Sequence, residues 1–307
     1  MADLILNSYG DVSRKEDVVL NAIEILTAKE TQIFNMLGKT TAIDTIHSYL
    51  VDTLDTAASA AVSESADYSL RACATPSRNT NIVQLVAKAF AVTDVQNAIE
   101  HYHGQKEVAR QTQKALMDWG NSAEFDLVRS TLVSGVSGTI MKMSGIIEAT
   151  SKSTNHTSHT SGTAWSASIL DGMMKLSYDN SNGDVATDLF MGSYLRKVTD
   201  DFTQKTNVVV NGGGMATIVK TVNTYTTAFG TLNIHTHRYI NVSGTDATGR
   251  VLAIRPDKLK VAMLINPYID MNIGRVGPYE KRAVVGAFTL ETRNKNSNWY
   301  ADGFNVG

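Results

Sequence analysis

The last third of the chain contains three consecutive strand-like segments, and this order constrains the fold more than any other feature. They cover residues 224–237, 253–265 and 284–295. In the first segment Leu232 and Ile234 alternate with polar residues, and Phe288, Leu290 and Thr292 have the same spacing in the third. Such alternation predicts half-buried strands whose outward side chains are free to contact another surface. No catalytic motif interrupts the three segments.

Length and composition predict two packed lobes without a thick core. A chain of 307 residues exceeds what one hydrophobic core usually serves. Hydrophobic residues make up 43% of the chain and aromatic residues only 7%. The net charge of -2 argues against a protein that mainly coats nucleic acid, because such proteins carry a basic excess.

The charge is distributed unevenly along the chain. Residues 1–50 hold four basic and seven acidic side chains, whereas residues 250–300 hold nine basic and four acidic ones. Opposite charges on two surfaces steer them together. We therefore expect one end of the chain to attract the other end of a neighbouring copy.

Neither a disulfide-stabilised secreted fold nor a membrane protein is expected. Cys73 is the only cysteine, which excludes an intrachain disulfide and favours a small buried hydrophobe. No apolar run approaches the roughly 18 residues that a membrane span needs. The first residues also lack the basic and apolar regions of an export signal. The sequence therefore predicts no membrane partner.

Helix-start signals occur at three places in the first hundred residues. Each pairs a hydroxyl with a Glu or Gln three residues later, as in a capping box. The pairs are Ser13 with Glu16, Thr27 with Glu30, and Thr93 with Gln96. After the second pair, Ile33, Phe34 and Leu37 form one apolar stripe that ends at Gly38. Such short helices must dock on other parts of the protein.

The longest helix is predicted within residues 105–134. Leu116, Trp119, Ala123 and Leu127 recur there at spacings of three and four. Further helices are predicted at 165–178 and 194–204, with a short buried strand at 188–192 between them.

An extended ribbon is predicted between residues 45 and 93. Residues 49–54 and 81–92 favour two strands, and in the second Val86 and Phe90 face one side while Val83 and Leu85 face the other. The residues between the strands are small or polar. Because an isolated two-stranded hairpin is only marginally stable, this ribbon needs an external surface to lie on.

A polar segment separates the first part of the chain from the rest. Residues 150–164 contain no large apolar residue. A segment that cannot bury apolar surface does not fold by itself. The sequence therefore predicts a linker or surface loop here.

Candidate catalytic and metal-binding residues are few. Six of the seven histidines occur in close pairs, which are His101 with His103, His156 with His159, and His235 with His237. The last pair would share one face of a strand, but no Cys cluster or suitably spaced carboxylate completes a metal site, so surface or interface roles are favoured. Residues 134–138 do not match the G-x-S-x-G nucleophile motif, and no Lys-Ser or Lys-Thr follows the glycines at 212–214. We expect no catalytic residue, metal site or cofactor.

Three longer motifs resemble one protein family. They are VTDVQNAIEHYHGQKEVARQ at residues 92–111, FGTLNIHTHR at residues 229–238 and VVGAFTLETRNKNS at residues 284–297. Together with the order of the predicted elements, they resemble the major capsid proteins of tailed bacteriophages, in particular those of short-tailed enterobacterial phages with elongated heads. The resemblance implies an α+β fold of the Hong Kong 97-like type, with an N-arm, an extended E-loop, a P-domain with a long spine helix, and an A-domain.

The resemblance also implies where these parts lie along the chain. They are the N-terminal arm at 1–44, the E-loop at 45–92, the spine helix and following strand of the P-domain at 93–149, a polar loop at 150–164, the A-domain at 165–275, and C-terminal strands that return to the P-domain at 276–307.

On this resemblance we expect a non-enzymatic major capsid protein. Its copies would form hexamers and pentamers that build an icosahedral or prolate head around double-stranded DNA, which the inner face contacts without sequence specificity. Expected partners are further copies of the chain, portal and scaffolding proteins and, where present, decoration proteins. Assembly would take place in the bacterial host cytoplasm, and the mature protein would be located in the virion.

Charged side chains on the ribbon and in the last part of the chain are the expected intersubunit contacts: Arg71, Arg78, Glu280, Lys281 and Arg282.

Two other classes of function remain open. One is an encapsulin-like shell protein, which has the same type of fold and houses a cargo enzyme in a bacterial cell. The other is a hydrolase or metal-dependent enzyme of unknown type.

Overall fold

The computed structural model describes the residues 31–54, 59, 61–64, 67, 75–99, 106–135, 139–202, 209–212, 215–218, 223–241, 248–271 and 273–306. The α-helices in these ranges are α1 (Gln32–Met36), α2 (Asp94–Ala98), α3 (Glu107–Arg129), α4 (Ile146–Ser151), α5 (Ala167–Asn180) and α6 (Ser193–Asp201). The strands are β1 (Gly38–Thr41), β2 (Ile46–Val51), β3 (Ser77–Ile82), β4 (Gln84–Thr93), β5 (His156–Thr163), β6 (Asp188–Met191), β7 (Val209–Gly212), β8 (Met215–Ile218), β9 (Thr224–Thr227), β10 (Gly230–Thr236), β11 (Gly249–Ile254), β12 (Leu259–Asp270), β13 (Tyr279–Thr292) and β14 (Trp299–Phe304).

One lobe consists of a four-stranded sheet with the long helix α3 on one face. The strand order is β1-β12-β13-β4, and only the β1–β12 pair is parallel. Trp119 of α3 packs edge-on against Phe288 of β13 and donates its indole N–H to the Val86 carbonyl oxygen at 3.0 Å. A Cβ at Gly286 would lie 2.6 Å from Cζ2 of Trp119. Glycine at this position therefore allows the helix to approach the sheet closely.

The second lobe is built on a six-stranded mixed sheet. Its strand order is β5-β14-β11-β6-β10-β9. Helices α5 and α6 cover one face, where Leu170 and Leu195 share a core with Trp299. The other face joins the core that contains α3 through four side chains: Phe190, Leu252, Ile254 and Tyr300. The two lobes are thus packed together through apolar side chains.

Strands β2 and β3 form a separate antiparallel ribbon that is attached to the first lobe at its root. The buried Asn81 donates from Nδ2 to the Leu290 carbonyl oxygen at 2.8 Å. The Tyr49 hydroxyl accepts the Thr292 N–H at 3.1 Å. These bonds connect both ribbon strands to the C-terminal half of β13.

Gln84, at the start of β4, connects the ribbon root to the end of α3. Its Nε2 donates to Oδ2 of Asp126 at 2.7 Å, and its Oε1 accepts the Ser130 hydroxyl at 3.1 Å. Burial raises the pKa of the Asp126 carboxyl above its ordinary value, whereas Lys142 and Gln84 act in the opposite direction. The polar side chains at this partly buried junction are thus hydrogen-bonded to one another.

The ribbon is shorter than the predicted E-loop at 45–92. Residues 84–93, which the prediction largely includes in the E-loop, form β4 and pair with β13 along its length. The chain runs on from ribbon to sheet at Val83, whose N–H donates to the Thr45 carbonyl oxygen at 2.8 Å. The predicted sidedness is confirmed, because Val86 and Phe90 pack toward α3 while Val83 lies in a small cluster on the opposite face and Leu85 is exposed.

The strands near the C-terminus are divided between the two lobes differently from the prediction. The prediction assigned residues 165–275 to the A-domain and residues 276–307 to strands that return to the P-domain. Strand β12 belongs to the four-stranded sheet, whereas β14 belongs to the six-stranded sheet. Strand β14 lies in the six-stranded sheet because its inward-facing side chains, among them Trp299 and Ala301, fill the core beneath α5 and α6.

The predicted polar loop at 150–164 is wrong for most of its length. Residues 156–163 form β5, which pairs in parallel with β14 at the edge of the six-stranded sheet. The strand is ordered by backbone pairing and by two histidine rings, since His156 stacks on Tyr300 and His159 contacts the Phe304 ring at a tilt, 4.8 Å between ring centres. Polar composition alone therefore did not exclude a strand.

The other predicted elements are confirmed in part, since residues 224–237 form a hairpin of two strands, β9 and β10, and residues 253–265 span the end of β11 and the first half of β12. Helices α3, α5 and α6 and strand β6 lie at the expected places. The Thr93 hydroxyl accepts the Gln96 N–H at 3.3 Å and begins α2, although that helix has only five residues. Several predicted features lie outside the described residues: Ser13, Glu16, Thr27, Glu30, Arg71, Cys73, His101 and His103.

Candidate assembly surfaces

The ribbon exposes apolar side chains that the rest of the described chain does not cover. Leu50 is 68% exposed and Leu54, just beyond β2, is 94% exposed. Ile46 at the start of β2 is also exposed. Contiguous exposed apolar side chains commonly mark surfaces that contact another molecule.

The outer face of the four-stranded sheet is a second uncovered apolar surface. On the face opposite α3, Leu85 is 59% exposed, and Ala87, Ala89 and Ile265 are exposed beside it. Beneath this face lies only a small cluster of short side chains: Ala42, Val83, Ala262 and Ala287. No element in the described part of the chain packs over Leu85. The exposed side chains named on this face are all apolar, as expected for a surface that receives another segment.

A third exposed apolar group lies at the far end of the same sheet. Arg275 in the β12–β13 connection forms an ion pair with Asp94 of α2, which fixes this connection against the helix. The exposed side chains around it are Val95, Ile99, Tyr268, Met271 and Val276. Sequence reasoning missed these residues, although Gly274 and Gly277 mark a turn with an apolar residue between them.

The structure separates the charged residues that the sequence proposed as contacts. Arg78 lies on the ribbon and donates to the Ser48 hydroxyl at 2.9 Å. Glu280 and Arg282 lie on β13 and bond to each other, with a distance of 2.7 Å between Arg282 Nε and Glu280 Oε1. Lys281 Nζ lies 5.1 Å from the Tyr279 ring centre. Arg71 lies outside the described residues.

The carboxylate of Glu124 joins three parts of the chain that are distant in sequence. This residue of α3 is fully buried, and its two oxygens accept the N–H groups of Ile33 and Phe34 at 2.7 Å each. Oε1 also lies 2.8 Å from Nε2 of His237, which follows β10. Because His237 Nδ1 accepts the Tyr239 N–H at 3.3 Å, Nε2 carries the proton that is donated to Glu124. Glu124 thus caps α1 and links α3 to the second lobe.

The surface or interface role predicted for the histidines is wrong for His237, which is fully buried. The expected shared face is confirmed, since the rings of His235 and His237 both contact Phe190, at 4.9 and 6.0 Å between ring centres. His235 Nε2 lies 3.0 Å from Oδ1 of Asp188.

Among the described residues no group of three or more His, Cys, Asp or Glu side chains could hold a metal ion. None of the helices in these ranges is both long and apolar enough to cross a membrane.

The chain has the Hong Kong 97-like capsid fold, because its two lobes, long helix and ribbon superpose on capsid subunits of known structure over nearly their whole length. The capsid subunit of a native GTA particle superposes with a TM-score of 0.64 at 11% identity, covering 97% of this chain and 98% of that one. The capsid subunit of Myoviridae phage XM1 gives 0.58 at 11% identity, covering 95% and 98%. The SrpI encapsulin of Synechococcus elongatus PCC 7942 gives 0.59 at 11% identity, covering 96% and 95%.

Residues 6–302 match the profile of the family described as SU10 major capsid protein. The chain belongs to this family, and it is a bacteriophage major capsid protein. No curated protein matches it in sequence.

Proposed function

We propose that copies of this chain assemble into hexamers and pentamers, which form an icosahedral or prolate head around double-stranded DNA. The observation that carries the proposal is that, among the described residues, the ribbon and the outer face of the four-stranded sheet both leave apolar side chains uncovered. Within this arrangement the ribbon of one copy lies across the outer sheet face of the next. Both apolar surfaces are then removed from water by identical copies.

The energetics of such a contact suit a shell. Covering one exposed leucine fully contributes about 1.5 to 3 kcal/mol, so a few apolar side chains per contact give roughly millimolar affinity, or about −4 kcal/mol. A contact of that strength can break and re-form while assembly errors are corrected. Many simultaneous contacts per copy then make the closed shell persistent.

The charged residues and the wider set of partners belong to the same proposal. Arg71, Arg78, Glu280, Lys281 and Arg282 would lie at contacts between copies, although Glu280 and Arg282 also satisfy each other within one chain. Portal, scaffolding and decoration proteins would meet the shell, and its inner face would contact DNA without reading its sequence. Assembly would take place in the host cytoplasm and without catalysis by this chain.

The subgroup and the domain limits also stay proposals. The motifs at 92–111, 229–238 and 284–297 support a relationship to short-tailed enterobacterial phages with elongated heads. The proposed N-arm at 1–44 lies mostly outside the described residues, and the proposed A-domain contains β6, β10 and β11 of the six-stranded sheet. In that division the second lobe surrounds the symmetry axes of the capsomers.

Truncation of the ribbon tests the proposal. Residues 55–74 are replaced by a short Gly-Ser linker, which leaves β2, β3 and their bonds to β13 in place. We expect a folded subunit, with an unchanged circular dichroism spectrum, that no longer closes shells in negative-stain electron micrographs. Normal shells from the truncated chain would show that the ribbon tip is not a contact, and an intact chain that stays monomeric under all assembly conditions would contradict the proposal itself.

An encapsulin-like shell is the alternative that has the same fold, which is all that the similarity to an encapsulin at 11% identity shows. The two functions differ in what the particle encloses. Particles purified from their native source should contain packaged double-stranded DNA if the first proposal is correct. A single enclosed enzyme in place of DNA would favour the second.

A further inference from the structure

Strand β4 is a long edge strand of the four-stranded sheet. It pairs with β13 over ten residues without a register shift, and β13 is its only partner among the described strands. It contains no proline and one charged residue, Lys88. Proteins usually protect such an edge with charges, prolines, bulges or short strands, because its unpaired N–H and C=O groups can pair with another chain. The described part of β4 lacks this protection and is therefore suited to pairing.

Hydrogen bonds at the two ends of β4 show which backbone groups face its free edge. The Asp94 N–H donates to the Pro278 carbonyl oxygen at 3.0 Å, on the β13 side. The Val83 N–H donates in the other direction, to the Thr45 carbonyl oxygen of the ribbon root at 2.8 Å. Backbone groups point alternately to the two sides of an antiparallel strand. Even-numbered residues of β4 thus bond to β13, and odd-numbered residues face the free edge.

The odd-numbered residues Leu85, Ala87 and Ala89 carry the free backbone groups. No backbone group in the described part of the chain bonds to their outward N–H and C=O groups. Their side chains are exposed on the outer face of the sheet. Residues directly opposite each other on paired strands share a face. A strand added at this edge would therefore place apolar side chains of its own beside Leu85 and Ala87.

Helix α3 stands beside this edge and forms the second wall of a groove of about 540 Å³. The strand wall consists of residues 84–88, which span roughly 17 Å. The helix wall consists of residues that recur at spacings of three and four: Asp118, Asn121, Ser122, Phe125 and Asp126. Tyr239 also lines the groove and packs edge-on against Phe125. Because the helix stands beside the edge, a single extended peptide fits here better than the edge of a second sheet.

The charge of the groove favours a basic peptide. Two carboxylates, Asp118 and Asp126, line it together with one ammonium group, that of Lys88. Asp126 accepts only a neutral amide N–H, from Gln84, and the exposed Asp118 has no partner among the described residues. An anionic groove attracts cations. Residues 1–50 hold seven acidic and four basic side chains, so the first part of a neighbouring copy would bring like charge.

We propose that the free edge of β4 binds an extended basic segment of a second protein, which adds a fifth strand to the four-stranded sheet. Apolar residues of the segment lie beside Leu85 and Ala87 on the outer face. The residues between them point into the groove, where an Arg or Lys side chain meets Asp118. Main-chain pairing supplies affinity in this mode of recognition, and the alternate side chains supply specificity. The proposal goes beyond the shell contacts, because the site is complete in one subunit and its partner is not another copy.

Fluorescence anisotropy with two labelled peptides tests the proposal. The full-length chain is used below the concentration at which it assembles. The probe is acetylated and amidated SVRVRVS, and in the matched peptide SVEVEVS glutamate replaces arginine. We expect the arginine peptide to bind at least about tenfold more tightly, because the glutamate peptide brings like charge to the groove. Tighter binding of the glutamate peptide would mean an acidic occupant, such as the first residues of another copy, and would overturn the proposal.

Two N-methylated forms of the arginine peptide test the backbone pairing. Methylation of the valine nitrogens blocks an antiparallel strand, because residues opposite Leu85 and Ala87 exchange both hydrogen bonds with them. Methylation of the arginine and second serine nitrogens blocks a parallel strand, in which the flanking residues make the bonds. We expect one form to lose at least about tenfold in affinity and the other to bind like the parent peptide. Equal affinities of the two forms would exclude pairing with the edge.

Variants of the chain locate the site. Ala87→Pro removes an N–H from the free edge and keeps the bonds to β13, a position where a strand tolerates proline. We expect an unchanged circular dichroism spectrum and at least about tenfold weaker binding of the arginine peptide. Asp118→Lys changes an exposed side chain and should reverse the preference between the two peptides, which keeps the test decisive if the proline variant does not fold. Asp179→Lys makes the same change of charge on α5 and should leave both affinities unchanged.

The outcomes separate this inference from the proposed function. A chain that forms shells but binds neither peptide overturns the inference and leaves the shell function intact. Unchanged binding to Ala87→Pro and Asp118→Lys also overturns it, because the peptide then lies elsewhere. A chain that binds the arginine peptide but never forms shells contradicts the proposed function alone.

Discussion

Glu124 shows how one side chain can define the arrangement of distant segments. It lies on the buried side of α3 beside Ala123, yet its carboxylate is satisfied by two backbone N–H groups and one imidazole N–H. The capping pair predicted ahead of Ile33 and Phe34, Thr27 and Glu30, lies outside the described residues, and in the structure the N–H groups of Ile33 and Phe34 are capped by a residue far along the chain. A glutamate within an apolar helical stripe was the available signal, but sequence alone cannot show which N–H groups it meets.

Substitution of Glu124 by Gln tests its role. The amide keeps one acceptor oxygen but places an NH₂ group against a backbone N–H, so a buried donor loses its acceptor. We expect a loss of about 2 to 4 kcal/mol in the free energy of unfolding. Hydrogen exchange at the amides of Ile33 and Phe34 should also become faster. In contrast, Asp179→Asn changes an exposed carboxylate on α5 and should cost less than about 0.5 kcal/mol.

A pair of glycine substitutions tests the close approach of α3 to the sheet. Gly286→Ala places a methyl group 2.6 Å from the Trp119 ring, so the helix or the strand must move. We expect destabilisation of about 1 to 3 kcal/mol and a shift in tryptophan fluorescence. Gly172→Ala in α5 meets no atom within 4 Å and should stabilise the subunit by about 0.5 to 1 kcal/mol. Equal effects at both sites would contradict the packing argument.

At the scale of elements, sequence reasoning succeeded where side-chain periodicity determines the structure. Helix α3 was predicted because Trp119, Ala123 and Leu127 repeat at helical spacing, and all three are buried. Strand β5 was not predicted, because its order depends on backbone pairing with β14 and on histidine rings that contact Tyr300 and Phe304. These contacts involve residues more than a hundred positions away, and local composition carries no record of them.

A charge placed on the outer face of the four-stranded sheet should prevent assembly and leave the fold intact. Leu85→Asp changes an exposed side chain, so the subunit loses little stability, but a carboxylate would be buried when a ribbon covers the face. We expect capsomers or shells to disappear from size-exclusion profiles at the concentration where the parent chain assembles. Ile140 is 75% exposed and belongs to no strand of this sheet, which makes Ile140→Asp the matched control. Shells formed normally by Leu85→Asp would exclude this face as the ribbon contact.

At the scale of the whole molecule, the sequence predicted the two lobes and the ribbon but not the path of the chain between them. The predicted order placed the last strands together with α3. In the structure β12 and β13 lie in the four-stranded sheet and β14 lies in the six-stranded one. An apolar alternating strand fits either core, so the choice depends on which neighbours are free to pair. The sequence also could not show what the proposed charged contact residues bind, because their partners would lie in other copies of the chain.

The shared core predicts that the two lobes unfold together. Leu252 and Phe190 of the six-stranded sheet pack in the same cluster as Trp119 and Leu127 of α3, so loss of either lobe exposes apolar surface of the other. Trp119 reports on the first lobe, and Trp299 reports on the second. Single-tryptophan versions of the ribbon-truncated subunit should therefore give coincident urea transitions. Leu252→Ala should lower both midpoints together, at a cost of about 2 to 5 kcal/mol. Leu232→Ala, within the second core only, is the matched control for core truncation and should also lower both midpoints. Two separate transitions in the parent subunit would mean that the interface between the lobes is too weak to couple them.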